Sequence, residues 1–188
     1  MTEMTEPRIE LPHAVQQFVL NWGTLGDRWG VNRSVSLIHA LLYASERPLT
    51  ADEIADTLAL ARSNVSNSIK ELLAWNLIRR VPIRGDRRDH FEAETDIWEM
   101  FLRIAAGRKE REIDPALAVL KACTADAERD GAVSPTARAR LKDMLGFIEM
   151  MERWYAQMLA VPKPQIATAI RLGAKVLNFL PGGRKKRA

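Results

Sequence analysis

The run Arg62-Ser63-Asn64-Val65-Ser66-Asn67-Ser68-Ile69-Lys70-Glu71-Leu72-Leu73 constrains this chain more than any other stretch. Val65, Ile69, Leu72 and Leu73 recur at helical spacing and supply one apolar face. Arg62, Ser63, Asn64, Ser66 and Asn67 crowd the first turns, although serine and asparagine are poor residues for a helix interior. Their concentration calls for a reason other than helix stability, and contact with an external hydrogen-bonding surface supplies one.

The flanking segments fix the setting of that helix. Thr50-Ala51-Asp52-Glu53 reads as a capping box that opens a short helix to about Leu58, and Ala59-Leu60-Ala61 makes a tight turn into the polar helix. Leu77 to Ile83 then turns extended, Arg84-Gly85-Asp86-Arg87-Arg88 is a charged turn, and Asp89 to Ala93 returns as a second strand. That is a β-hairpin with an arginine-rich tip. Upstream, Val15, Phe18, Val19, Trp22, Leu25 and Trp29 mark an amphipathic helix, and Val35, Leu37, Ile38, Leu41 and Leu42 a core helix from about Arg33 to Ser45. Arg47-Pro48 ends it.

Downstream, Ile97, Met100, Phe101 and Ile104 form the stripe of a long helix that runs on through Arg108 to Glu112, with Pro115 either starting a new helix or kinking this one. A helix from about Pro135 to Val161 carries Leu141, Leu145, Ile148, Met151, Tyr155 and Leu159 on one side, and a last amphipathic helix carries Ile166, Ile170, Val176, Leu177 and Leu180. The fold class is therefore mainly α with a small β-wing, a winged helix-turn-helix plus a terminal helical dimerisation region. The expected divisions are an N-terminal dimerisation helix over 1–32, a DNA-binding domain over 33–95, a helical linker and dimerisation region over 96–180, and a basic tail over 181–188.

Charge supports this order. The net +4 of the 188 residues separates into 4 basic and 8 acidic groups over 1–60, then 7 and 3 over 61–90. It continues as 6 and 10 over 91–130, then 11 and 3 over 131–188, where Arg184-Lys185-Lys186-Arg187 lies. A short basic block inside acidic flanks is how a local anion-binding face looks in sequence.

In a winged helix-turn-helix the polar helix enters the major groove. Arg62, Asn64 and Asn67 are the expected base readers, because arginine pairs bidentately with guanine and asparagine with adenine. Ser63, Ser66, Ser68 and Lys70 suit phosphate oxygens. The wing would follow the adjacent minor groove, with Arg88 inserting, Arg84 and Arg87 on the backbone, and Asp86 orienting an arginine.

Thr50 to Ala55, Arg62 to Ser66, Leu72 to Arg80 and the wing Gly85 to Asp89 resemble the MarR family of bacterial transcriptional regulators. Asp96 to Phe101, Arg108 to Arg111 and Glu112 to Pro115 resemble its GbsR-like branch, which is associated with control of betaine and compatible-solute genes. Two positions depart from the family: Ala61 stands where a capping serine is usual, and Ser36 where glycine is common. The resemblance implies a homodimer reading a pseudo-palindromic operator, a repressor responsive to an effector. The alternative is a winged module that binds nucleic acid without sequence preference or binds protein; similar affinity for random and selected DNA would identify it, where a repressor shows roughly 10³-fold or greater preference.

Trp22, Trp29, Trp98, Trp154 and Tyr155 form the candidate effector site, since aromatic faces hold a quaternary ammonium by cation–π attraction; their plain alternative role is core or dimer interface. The single cysteine, Cys123, excludes an internal disulfide and reads as a buried small hydrophobe. His13, His39 and His90 lack metal-ligand spacing, no glycine-rich phosphate loop occurs, and carboxylate pairs such as Asp52-Glu53 are explained by capping. The expectation is no enzyme, no metal and no cofactor. With no signal-peptide pattern and no run of 18 apolar residues, a cytoplasmic protein without a membrane partner is expected.

Overall fold

Among its described residues the chain alternates short helices with a minimal sheet in its first half and is mainly helical in its second. The computed structural model describes residues 9–173, which fall into two units that divide after Ile104. The first contains α1 (His13–Arg28), α2 (Arg33–Ala44), β1 (Leu49–Thr50), α3 (Ala51–Leu58), α4 (Arg62–Ala74), β2 (Ile78–Val81), β3 (His90–Ala93) and the start of α5 (Ile97–Arg108). The second continues through a π-helical turn (Lys109–Ile113), α6 (Asp114–Arg129), α7 (Pro135–Ala160) and α8 (Lys163–Leu172).

In the first unit, Val19, Ile38, Leu41, Leu49, Ile54, Val65 and Leu72 are almost fully buried and come from α1 to α4 and β1. The breadth of the α2 apolar surface follows from its place at the centre: eight consecutive residues, Val35 to Leu42, are buried. Asn32 caps α2 by accepting from the Ser34 amide at 2.9 Å. The capping box of α3 forms as the sequence requires, with the Glu53 amide donating to Thr50 Oγ1 at 3.2 Å and the Thr50 amide to Glu53 Oε2 at 2.7 Å. Ala59 closes α3 in the left-handed region, φ 52°, and the Leu60 amide bonds back to the Ala55 carbonyl at 3.0 Å. This reversal sets α4 against α3 without a glycine. The sheet is antiparallel in the order β1-β3-β2, with Leu49 opposite Phe91 and Arg80 opposite Phe91 from the other side.

In the second unit α6 and α7 pack together as neighbours joined by a short loop. Ser134 caps α7, and Arg138 Nη2 donates to the Val133 carbonyl at 3.0 Å. Lys109 joins Asp114 at 2.7 Å and Glu152 at 3.0 Å. Tyr155 donates its hydroxyl to the Ala105 carbonyl at 2.8 Å. Pro115 lies in the first turn of α6, as the first of the two expectations had it, and the backbone ahead of it widens into the π-helical turn.

Two expectations are corrected here, and one falls partly outside the described residues. Met151 belongs to the exposed side of α7, where Met144, Phe147, Met151 and Trp154 stand at spacings of three and four, while Leu141, Leu145, Ile148, Tyr155 and Leu159 are the partly buried ones. Cys123 is exposed rather than buried, because it lies on the outer side of α6 from Thr124 and Ala127. Of the last expected helix, Val176, Leu177 and Leu180 lie outside the described residues, as does the Arg184 to Arg187 tail. Among the described residues no helix is long and apolar enough to cross a membrane.

Candidate nucleic-acid interface

The register of α4 sorts its side chains. Val65, Ser68, Ile69 and Leu72 are buried, which leaves Arg62, Ser63, Asn64, Ser66, Asn67 and Lys70 exposed on the opposite side. The structure thus brings together six of the seven residues singled out on this helix. Ser68 is the exception, being 3% exposed, and its hydroxyl lies 2.8 Å from Ser34 Oγ. Ser34 in turn donates to Asn32 Oδ1 at 2.8 Å, so its single proton is used and Ser68 is the donor. Ser68 is a link from α4 to the cap of α2, not an outward phosphate contact. Helical periodicity places it one position from Ile69 on the inner face.

Ala61 makes no side-chain cap on α4, as the sequence implied. The first-turn amides of the helix therefore have no side-chain cap from Ala61, and an unpaired helix start favours an anion. Arg62, 80% exposed, places Nε 3.2 Å from Asp52 Oδ1 on α3.

The wing turn is organised by one carboxylate. Asp86 accepts from the Arg88 amide at 2.9 Å and from Arg88 Nη2 at 2.6 Å, and its carboxyl is held well below the usual range by those bonds. His90, buried on β3, turns Nδ1 to the Arg88 carbonyl at 3.0 Å. Gly85 takes φ +89° at the turn, a conformation open to glycine at little cost. The expected orienting role of Asp86 is present, and its partner is Arg88. Arg88, the expected inserting residue, is the arginine that Asp86 holds, and it lines a cleft between α4 and the sheet. Arg84, Arg87 and Arg88 are all exposed, and Arg88 is the one paired within the turn.

That cleft, about 340 Å³, is lined by Ser66, Lys70, Arg80 and Arg88 together with Asp52 and Asp89. Arg80 lies 3.6 Å from Asp89 across the hairpin, while Arg79 pairs with its cross-strand neighbour Glu92. Arg80, Asp52 and Asp89 were absent from the sequence-derived set. Strand alternation was the available signal, since it separates Arg80 from Arg79.

A second concavity lies within the first unit. Phe18, Trp22, His39, Ala40, Tyr43, Ile97 and Met100 line an apolar pocket of about 220 Å³. Phe18 meets Trp22 at 5.6 Å and Tyr43 at 6.4 Å between ring centroids. His39 is buried, its Nε2 has no hydrogen-bond partner among the described residues, and burial pushes its pKa down to about 4. Of the five aromatic residues proposed from sequence, only Trp22 lines this pocket. Trp29 packs edge-on to Trp22 at 6.0 Å and Trp98 edge-on to Phe101 at 6.5 Å. Trp154 and Tyr155 belong to the second unit. Phe18 and Tyr43 were missed because attention to tryptophan passed over two smaller rings facing each other from α1 and α2. No group of histidine, cysteine or carboxylate side chains suited to a metal occurs among the described residues.

Comparisons with known proteins bear on the winged region. A model of the MarR family matches residues 29–89. The chain is 26% identical over 103 residues to the HTH-type transcriptional repressor GbsR of Bacillus subtilis (strain 168), covering 55% of this chain and 57% of that protein. It is 19% identical over 147 residues to the HTH-type transcriptional repressor OpcR of the same organism, covering 76% and 77%. The match therefore spans little more than half the length of GbsR. A crystal structure of a transcriptional regulator shares the fold at a TM-score of 0.60 and 18% identity, covering 78% of this chain and 95% of that one.

Proposed function

We propose that this chain, whose residues 29–89 match the MarR family and which is similar to GbsR, is a sequence-specific DNA-binding transcriptional repressor, acting as a homodimer on a pseudo-palindromic operator. The observation that carries this reading is the division of α4 into a buried apolar side and an exposed side bearing Arg62, Ser63, Asn64, Ser66, Asn67 and Lys70, beside a wing with exposed Arg84 and Arg87. An α-helix fits the major groove, where arginine and asparagine read base edges and serine and lysine position the backbone. Names of relatives that are repressors support the direction of control.

Self-association is supported by the exposed stripe Met144, Phe147, Met151 and Trp154 on α7, an apolar face of the kind that calls for a partner. The proposed divisions are the winged domain over 33–95, with 1–32 and 96–180 serving dimerisation. The effector site is the pocket lined by Phe18, Trp22 and Tyr43, whose ring faces suit a quaternary ammonium. Tryptophan fluorescence titrated with choline and with its uncharged isostere tests this; equal response to both removes the cation preference.

Sequencing of DNA fragments selected by the purified protein tests the main reading. Related half-sites about one helical turn apart are expected. Arg62→Ala should then relax base preference at one position, whereas Lys70→Ala should weaken all sequences alike and flatten the salt dependence. Recovery of no shared sequence, with equal affinity for random duplex, would establish the non-specific winged module instead.

A further inference from the structure

Asp52 is an acidic side chain at the edge of a surface otherwise suited to phosphate. It lies on the first turn of α3, lines the cleft beside Ser66, Lys70, Arg80 and Arg88, and holds the Nε edge of Arg62 at 3.2 Å. The capping box of α3 is made by Thr50 and Glu53; Asp52 adds an acidic charge to the same first turn, as the sequence reading of the pair expected, and its carboxylate also reaches Arg62. We propose that Asp52 is a specificity-determining positioning residue, which acts through Arg62 by holding its guanidinium for a base edge and by disfavouring phosphate wherever that base is missing. The proposal rests on the reading of α4 as the groove-entering helix.

The physical case has two parts. Arginine carries five donors in a planar fork, so a carboxylate on the Nε edge leaves the outer edge free for bidentate contact with an acceptor pair. In a specific complex Asp52 can keep its arginine while the outer edge meets a guanine, so nothing is lost. In a non-specific complex the favourable term is phosphate neutralisation, and a carboxylate at the cleft subtracts from it. One side chain thus lowers affinity for random DNA while supporting the selected site. Asp86, by contrast, is part of the wing turn through the Arg88 amide. Asp89, which meets Arg80 from the far side of the cleft, provides the comparison: it has no base-reading arginine, so its removal should raise affinity for all DNA equally.

The test measures binding of wild-type, Asp52→Asn, Asp52→Glu and Asp89→Asn proteins to a selected site and to random duplex over a range of salt. Asp52→Asn should bind random duplex about three- to fivefold more tightly, the scale of one exposed ion pair, and its salt dependence should steepen. Its affinity for the selected site should stay level or fall, with base preference relaxed at the same position as in Arg62→Ala. Asp52→Glu should restore most of the preference, and Asp89→Asn should tighten both duplexes together. Unfolding midpoints confirm that each variant is folded, which exposure of both aspartates makes the expected result. Equal change in both duplexes for Asp52→Asn, or none, overturns the proposal while leaving the repressor reading intact. Failure of the wild type to prefer any sequence overturns both.

Discussion

Gly26→Ala should destabilise the first unit even though alanine is the better helix former. An added Cβ at this position on α1 would lie 1.9 Å from Ser36 Oγ and 2.5 Å from Ser36 Cβ on α2. Rotation of the serine hydroxyl relieves the first clash but not the second, because a Cβ is fixed to its backbone. The helices must part, or the alanine must distort α1. Overpacking of this kind costs about 1–3 kcal/mol, while exchanging glycine for alanine in a helix returns about 1 kcal/mol; the contact is severe enough to place the cost near its upper end, for a net loss of ~1–2 kcal/mol. Gly146→Ala on α7 is the opposite case, since its Cβ would meet nothing within 4 Å, and it should gain ~0.5–1 kcal/mol. The pairing can be tested directly by adding Ser36→Gly to Gly26→Ala, which exchanges the small residue between helices and nearly cancels the propensity terms. Urea unfolding of the wild type, both single variants and the double variant gives the coupling, expected at ~1–2 kcal/mol for groups in contact. A Gly26→Ala protein that gains stability as Gly146→Ala does, or additive single effects, would refute the close approach of α1 and α2.

Other outcomes follow from the same structure. Ser68→Ala should cost about 1 kcal/mol in unfolding free energy through loss of its bond to Ser34, with DNA affinity of the folded protein unchanged; a selective loss of affinity would return Ser68 to the interface. Thr50→Ala removes the cap of α3 and should cost about 1 kcal/mol by thermal or urea unfolding. His39 titrates near 6.5 when unfolded and at about 4 when folded, so the unfolded chain takes up the proton first and stability falls as pH drops from 6.5 toward 4. The loss should approach ~3 kcal/mol and be absent from His39→Leu; unfolding curves in which the two proteins keep a constant difference between pH 7 and 4 would contradict burial of the neutral ring.

The elements of the winged domain were legible because local chemistry and burial agree there. Thr50 and Glu53 announce the start of α3, Pro48 the end of what precedes it, and the change from period 3.6 to period 2 after Leu77 the wing. The exposed polar side of α4 was legible as a class, since serine and asparagine there have no intrahelical use. Individual directions were harder. Ser68 has the composition of the exposed side but the register of the buried one, and only the partner hydroxyl of Ser34, distant in sequence, explains a serine there. Arg88 depended on which arginine Asp86 would choose, a matter of turn geometry at Gly85 rather than of residue type. The pocket around His39 could not be read, because its rings and aliphatic walls come from α1, α2 and α5 and share no local pattern.

Cation count alone overstates the electrostatic reach of this surface. Residues 61–90 hold seven basic groups, yet Arg62, Arg79, Arg80 and Arg88 each lie against a carboxylate, from Asp52, Glu92, Asp89 and Asp86 respectively. Each such arginine gains less from a phosphate than an unpaired one, since it exchanges one anion for another. Pairs this exposed are worth little to folding, so their effect falls on binding. On the proposed DNA-binding reading, non-specific attraction, which scales with the phosphates neutralised, would be kept low, while contacts to base edges would be untouched because arginine can serve a carboxylate and a base from different edges. If α4 enters the groove as proposed, a basic block that looked like a general anion-binding face is better suited to discriminating among sequences than to holding DNA indiscriminately.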